Sequence, residues 1–189
     1  MIGSLPGRRD LKPTSRAPSL LMPIPDCEIR ISGQTVKMYA LPDISDNKSA
    51  SYADETGIGR SMPFKSYQWS DNRTINWTAH YVATSKNDIE KFLVDVRRLT
   101  SACYPQAGTT TPYRPPPLCT LKCLGLMKNT RSVSTIVAVM KSYSLKYDTS
   151  VPWDEVTGMP YKFDIDMVFE VVLNQTNLPT DRLIANGTY

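Results

Sequence analysis

A stretch of regular alternation from Tyr161 to Leu173 constrains the fold of this chain more than any other feature. Its apolar residues occupy every second position: Tyr161, Phe163, Ile165, Met167, Phe169, Val171 and Leu173. Between them lie Lys162, Asp164, Asp166, Val168 and Glu170. Because successive side chains of a strand point to opposite faces, this pattern predicts a β-strand with one buried face. Strands usually have about five or six residues, so a longer one predicts an architecture built around a sheet.

Four further segments show strand patterns. Cys27 to Tyr39 predicts a hairpin with its turn at Gly33-Gln34. A second hairpin is predicted from Phe64 to Ser70 and Thr74 to Thr84, joined by the turn Asp71-Asn72-Arg73. The last two strands are predicted over Leu118 to Met127 and Ser132 to Asp148. In the longer of these, one face is expected to hold Val133, Thr135, Val137, Val139, Lys141, Tyr143, Leu145 and Tyr147.

One helix is predicted from Ser85 to Cys103. Ser85 is a suitable N-cap, and Asp88 three residues later completes an approximate capping box. Five residues at helical spacing form an apolar stripe: Ile89, Phe92, Leu93, Val96 and Leu99. We expect this stripe to pack on one face of the sheet or to cover an open barrel end.

The predicted order is β-β-loop-β-β-α-β-β-β, and most strand links are short. This indicates an α+β, mainly β fold, with a largely antiparallel sheet in one domain over residues 26–174. Residues 41–60 are polar and without periodicity, which predicts a long loop. Residues 175–189 are predicted to be a polar C-terminal tail.

Residues 1–25 are predicted to form an extended basic arm. Five prolines in this segment exclude a helix. The basic residues Arg8, Arg9, Lys12 and Arg16 outnumber the single acid and account for most of the net charge of +4. The apolar run from Leu20 to Ile24 favours an arm that lies on a neighbour over a disordered tail. Such an arm is more typical of docking than of sequence-specific DNA recognition, although a channel lining could contact DNA non-specifically.

No apolar run is long enough to span a bilayer, and the N-terminus lacks the apolar region of a secretory signal. We therefore expect no membrane partner and assembly in a cytoplasm. In that compartment the four cysteines, Cys27, Cys103, Cys119 and Cys123, are expected to be free thiols.

The sequence offers few residues that could act in catalysis or bind a metal. We therefore expect that the protein is not an enzyme and that it binds no metal and no cofactor. His80 is the only histidine and is predicted to lie on the polar face of a strand as a satisfied surface residue. Cys119 and Cys123 lie four apart on a strand, which separates them by roughly 13 Å and favours buried thiols over zinc ligands. Asp164 and Asp166 face outward together; we interpret them as solubilising or interface charges and not as a glycosidase pair.

A family resemblance is found between Ser132 and Leu173. A long strand through Lys141-Ser142-Tyr143-Ser144-Leu145 is followed by the connection Tyr147 to Asp154, which contains Val151-Pro152-Trp153-Asp154, and then by the final strand. The upstream Pro116-Pro117-Leu118 and the preceding helix fit the same pattern. This arrangement resembles tail-tube-like proteins of contractile phage baseplates, over roughly residues 64–173.

The resemblance implies a structural virion protein with a tail-tube-like sheet or half-barrel. Such proteins form rings, often hexameric, of the tail tube or baseplate hub, so the implied partners are further copies and the adjacent tube and hub proteins. The implied location is the virion tail, assembled in the host cytoplasm. A ring also removes the unpaired edges of long strands, which are an aggregation hazard in a monomer.

Candidate contacts between subunits come from the arm, the connection and the polar face of the last strand. They are Arg8, Arg9, Arg16, Leu20, Leu21, Pro152, Trp153, Asp164 and Asp166. Trp153 is either an interface anchor or a core tryptophan that covers the helix. Two other functions stay open at this point: a tail terminator or neck connector, and a cell-wall hydrolase or binding module at the tail tip.

Overall fold

A seven-stranded antiparallel sheet organises the molecule in the computed structural model, which describes residues 21–59, 61–107, 113–123 and 135–172. In spatial order its strands are β2 (Gln34–Lys37), β1 (Cys27–Ile31), β9 (Cys119–Cys123), β10 (Ile136–Tyr147), β13 (Lys162–Val171), β6 (Thr74–Val82) and β3 (Asp43–Asn47). Three two-stranded ladders accompany it: β4 (Ala50–Glu55) with β5 (Phe64–Ser70), β7 (Gln106–Ala107) with β8 (Tyr113–Arg114), and β11 (Trp153–Asp154) with β12 (Met159–Pro160). The single helix in the described part of the chain is α1 (Lys86–Ser101). The predicted α+β, mainly β class is confirmed, and the described strands do not close into a barrel.

The core lies between one face of the sheet and α1. The alternating residues of β13 are buried as predicted, from Phe163 to Val171, and so are those of β6 from Ile75 to Tyr81. The ring of Phe92 on α1 lies 4.9 Å from that of Tyr81 and 5.5 Å from that of Tyr39, measured between centroids. The helix therefore covers the sheet face, as the apolar stripe predicts.

The start of α1 follows the predicted capping box. The Asp88 carboxylate accepts hydrogen bonds from the Ser85 backbone N–H at 2.9 Å and from the Ser85 hydroxyl at 2.8 Å. It also accepts one from the Thr84 hydroxyl at 2.8 Å. These contacts satisfy donors that an uncapped helix would leave without partners.

The first hairpin is confirmed, with its turn one residue earlier than predicted. Ile31 pairs with Gln34, so the turn is Ser32-Gly33 and not Gly33-Gln34. Ser32 has a φ of 48° and Gly33 a φ of 80°. Positive φ at both central residues is typical of the type I′ turn, whose twist matches that of the flanking strands.

The predicted long loop over residues 41–60 is wrong. This segment contains the strands β3 and β4. In β3 only Ile44 is even half-buried, because an edge strand of the sheet exposes most of its side chains. β3 is defined by its backbone pairing with β6. Backbone pairing requires no apolar periodicity, so the sequence shows none here.

The predicted pairing of Phe64–Ser70 with Thr74–Thr84 is also wrong, although both strands exist. β5 pairs with β4, whereas β6 pairs with β13 and β3. The two ladders follow one another: Asn47 pairs with Thr74, the Asp71 N–H donates to the Ser49 carbonyl at 3.0 Å, and Ala50 pairs with Ser70. One long hairpin therefore runs from the sheet into β4 and β5, which we call the ribbon (residues 50–55 and 64–70).

β10 does not keep one face along its length. Ile136, Ala138 and Met140 are buried in its first half, whereas Tyr143 and Leu145 pack against the core in its second half. A β-bulge between Met140 and Ser142 makes this switch. The single face predicted for the odd-numbered residues is thus correct only after Lys141, because one extra residue reverses the alternation.

Smaller predictions differ or fall outside the description. The predicted loop from Gln106 to Pro117 contains the β7–β8 ladder, and the connection from Thr149 to Pro160 contains the β11–β12 ladder. The predictions for residues 1–20, for the turn Lys128 to Arg131, for the first residues of the strand from Ser132 and for the C-terminal tail lie outside the described residues.

Candidate assembly surfaces

The predicted arm is described only at its C-terminal end. Arg8, Arg9, Arg16 and Leu20 lie outside the described residues. Leu21 and Ile24 are half-buried and pack against the core of their own chain. The Ile24 N–H also donates to the Met38 carbonyl at 2.8 Å, which fixes this end of the arm beside β2.

Asp164 and Asp166 face outward as predicted, and both have partners within the chain. An Asp166 oxygen accepts from the Thr78 hydroxyl at 2.7 Å, and the other lies 2.6 Å from the Lys146 ammonium. The bond from Lys146 is the main reason why the pKa of Asp166 is lowered. Asp164 pairs with His80. These carboxylates therefore link β13 to its two neighbours, and any role between subunits is additional to that.

His80 is held between two carboxylates. Its Nδ1 lies 2.8 Å from an Asp164 oxygen and its Nε2 lies 3.2 Å from an Asp43 oxygen. The hydrogen bond to Asp164 is the largest cause of the raised pKa of His80. Because both ring nitrogens are engaged, this geometry leaves neither free to act as a general base or to bind a metal. It agrees with the predicted satisfied surface histidine.

The Pro152-Trp153 connection presents its tryptophan to the surface. Trp153 is 45% exposed, and its ring lies 6.1 Å from that of Tyr147 between centroids. The adjacent Asp154 is buried and accepts hydrogen bonds from the Thr157 N–H and hydroxyl at 2.9 and 2.8 Å. Trp153 is therefore not a core tryptophan over the helix. Of the two interpretations, exposure favours the interface anchor.

Three of the four thiols are buried in the sheet. Cys119 and Cys123 lie on β9, and the Cys27 Sγ on β1 lies 3.0 Å from the Cys123 Sγ. Burial raises the pKa of Cys119 to about 11 and raises that of Cys27 as well. A thiol that stays protonated is a poor nucleophile and a poor metal ligand. Within the described ranges, no cluster of His, Cys, Asp and Glu is arranged to hold a metal ion.

The ribbon is a surface that the sequence prediction missed. Tyr52, Phe64, Tyr67 and Trp69 are each between 56% and 58% exposed. The rings of Tyr52 and Tyr67 face each other across the two strands at 5.8 Å. Tyr52 and Tyr67 lie on one face of the ribbon and Phe64 on the other, so this short hairpin exposes aromatic side chains on both faces. Exposed aromatic surface of this kind marks an interaction site. Three of these aromatics are close together in the sequence, between Phe64 and Trp69, which was an available signal.

A groove between α1 and β2 was also missed. It has a volume of about 300 Å³ and is lined by Thr35, Lys37, Tyr39, Lys91, Val94, Asp95 and Arg98. Asp95 is only 8% exposed, and burial raises its pKa to about 6, while Arg98 at 3.6 Å opposes that rise. The groove combines apolar wall with a cationic rim. Its residues come from separate elements, so no local motif indicated it.

A scan against models of known protein families found no match to this chain, and a search of curated proteins found none either. Within the part of the chain that is described, α1 is not a helix that could cross a membrane, and no other candidate exists there. The fold defines a mainly β protein. Its features of interest are strand edges, exposed aromatic side chains and charged side chains at the surface.

Proposed function

We propose that this protein is a structural subunit of a phage-like tail, which forms a ring of the tail tube or of the baseplate hub. Its role is assembly and not catalysis. Copies contact one another around the ring, and adjacent tube and hub proteins stack above and below. The resemblance of residues 132–173 to tail-tube-like proteins supports this proposal from the sequence.

The uneven pairing of β10 gives the main support from the fold. β13 pairs with β10 from Ala138 to Tyr147, but β9 pairs only with Ile136 to Ala138. From Lys141 to Tyr147, no described strand therefore lies beside β10 on its β9 side. Backbone groups along such an edge need a partner, and a strand from another copy supplies one.

The surface next to this edge supports the same proposal. Tyr147 and Trp153 form a partly exposed aromatic pair at its end. Aromatic residues are enriched at protein interfaces, where they bury a large apolar area with few rotatable bonds. The closed geometry around His80 does not favour a hydrolase, because neither ring nitrogen is free to activate water.

The arm provides the second class of contact. Arg8, Arg9 and Arg16 place positive charge on a segment whose end is fixed beside β2. In the assembled tail this segment lies on a neighbouring subunit or ring. If it reaches the channel, it contacts passing DNA through phosphates and without sequence preference.

The test is the assembly state of the full chain. Size-exclusion chromatography with light scattering and averaged negative-stain images should show a closed ring with a central channel. Antibody labelling of tailed particles should then place the ring at the tube or at the baseplate. A stable monomer that degrades peptidoglycan would contradict the proposal and favour the hydrolase.

A further inference from the structure

The ribbon contributes no residue to the core of the described part of the chain. An isolated two-stranded hairpin is marginally stable in water. Neither strand of the ribbon contains a buried residue, so neither of its faces packs in the core. With six residues in β4, it extends roughly 20 Å along its strands. A hairpin of this length with exposed aromatics gains stability when a partner covers it.

One cross-strand pair near the ribbon tip combines two kinds of side chain. Glu55 lies directly opposite Phe64, and residues opposite each other share a face of a two-stranded sheet. Both side chains are exposed. The pair therefore presents a carboxylate beside an aromatic ring.

The groove between α1 and β2 is complementary to that pair. Val94 is 43% exposed in its wall, and the half-buried Tyr39 lies beside it. Lys37, Lys91 and Arg98 line the same groove, and among the described lining residues they outnumber the one acid, Asp95. An apolar wall with excess positive charge suits an aromatic ring accompanied by a carboxylate.

The ribbon and the groove lie at different places on one chain. The ribbon continues β3 and β6 beyond Thr74, whereas α1 follows the other end of β6 at Val82. β2 and β3 are also at opposite ends of the strand order. A contact between two different patches of identical chains is heterologous, and repetition of it gives a ring or a filament.

We propose that the ribbon of one copy inserts its Glu55–Phe64 pair into the α1–β2 groove of a second copy. Phe64 packs on Val94 and Tyr39, and Glu55 pairs with Lys91. This contact rests on the proposed assembly function and specifies how neighbouring copies recognise each other.

Complementary charge reversals test the contact. Glu55→Lys reverses the charge that the ribbon presents, and Lys91→Glu reverses the charge that the groove presents. Each variant alone should associate at least about tenfold more weakly than the wild-type chain, since like charges then meet in the contact. An equimolar mixture of the two should regain assembly, because each altered ribbon then finds an altered groove of opposite charge and each native ribbon finds a native groove.

Two matched variants control for charge alone. Glu90→Lys makes the same change as the ribbon variant at an exposed site of α1 outside both surfaces. Arg97→Glu reverses an exposed charge on α1 outside the groove. Both should assemble like the wild-type chain when measured by light scattering in about 0.05 M salt, where screening is weak.

The outcomes separate this inference from the proposed function. Rings that form equally well from the wild type and both single variants would overturn the inference and leave the tail function standing. Assembly that depends on both residues but gives open filaments without rings would support the contact and overturn the ring. A wild-type chain that stays monomeric would overturn both, and a mixture that fails to regain assembly would overturn the pairing of these two surfaces.

Discussion

His80 links three strands through its two ring nitrogens, which makes it a residue whose charge matters to the sheet. Asp164 lies on β13 and Asp43 on β3, with His80 between them on β6. Asp166 and Lys146 lie on the same outer face close by. The imidazolium form gains from both carboxylates, and this is why its pKa is raised above the usual 6.5.

The pH dependence of stability follows from the sign of that shift. A group whose pKa is raised on folding contributes fully below its unfolded-state pKa, and its contribution is lost as pH rises through the folded-state pKa. We expect the wild type to exceed His80→Gln in free energy of unfolding by up to about 1 kcal/mol near pH 6, since solvent screens this surface site. The difference should decline as the pH is raised above 6 through the raised pKa of His80. Urea unfolding of both chains across this range measures it, and a difference that grows with pH would contradict the assignment.

Asp88 is the residue that starts α1. Asp88→Ala removes an acceptor for the Ser85 N–H and for the hydroxyls of Ser85 and Thr84. We expect a loss of about 1–2 kcal/mol in the free energy of unfolding. Asp88→Asn keeps one acceptor oxygen and should lose less. Arg97→Ala, at an exposed site of the same helix, should change stability by less than about 0.5 kcal/mol. Equal losses for Asp88→Ala and Arg97→Ala in urea unfolding would contradict the capping role.

At the scale of elements, the bulge in β10 lets one strand serve two stretches of core. Met140 pairs with Phe169, and after the bulge Ser142 pairs with Val168. Lys141 is the extra residue, and its ammonium lies 2.7 Å from a Glu170 oxygen. Removing Lys141 would leave a regular strand with Met140, Tyr143 and Leu145 still on the core side, because alternation then runs without interruption.

Two single-residue deletions test this account. The chain lacking Lys141 should fold with a loss of about 1 kcal/mol or less, because it loses an exposed ion pair and a local twist. The chain lacking Ser144 should lose about 2–3 kcal/mol, because Leu145 and the residues after it turn to the wrong face. Both values come from urea unfolding. The bulge would not be the cause of the face switch if the deletion of Lys141 were the more harmful.

Local patterns in the sequence predicted which segments are strands far better than which strands pair. The alternation in β13 and β6 and the cap of α1 depend on neighbouring residues, and these predictions are confirmed. β3 was not predicted because its side chains are mostly polar and exposed, so it has no alternation of apolar and polar residues. Only its backbone hydrogen bonds define it as a strand. β6 pairs with β13, which lies far from it in the sequence. Such a pairing depends on contacts between distant residues, so no local sequence pattern predicts it.

At the scale of the whole molecule, the candidate surfaces were harder to predict than the fold. Asp164 and Asp166 were correctly predicted to face outward, but their partners come from β6 and β10. For Trp153 the sequence left the surface and the core both open, and only the structure shows that it is exposed. The groove joins residues of α1 and β2 that are more than fifty positions apart in the chain. The ribbon became visible only once β4 was known to pair with β5.

The separation of ribbon and core gives a prediction for the molecule as a whole. The Asp71 N–H donates to the Ser49 carbonyl, which is the hydrogen bond that closes a two-residue hairpin turn. Residues 50–70 can therefore be replaced by Asn-Gly, which favours a type I′ turn. The sheet, α1 and the bidentate pair of Arg73 with Asp46 all remain in this shortened chain.

We expect the shortened chain to be a folded monomer. Its free energy of unfolding should lie within about 1 kcal/mol of the wild-type value, because no buried core residue is removed. Light scattering should show that it does not assemble under conditions where the wild type does. A shortened chain that fails to fold would mean that the ribbon stabilises the sheet within one subunit. One that still forms rings would mean that the edge of β10 and the arm are sufficient for assembly, and that the aromatic ribbon faces a different partner.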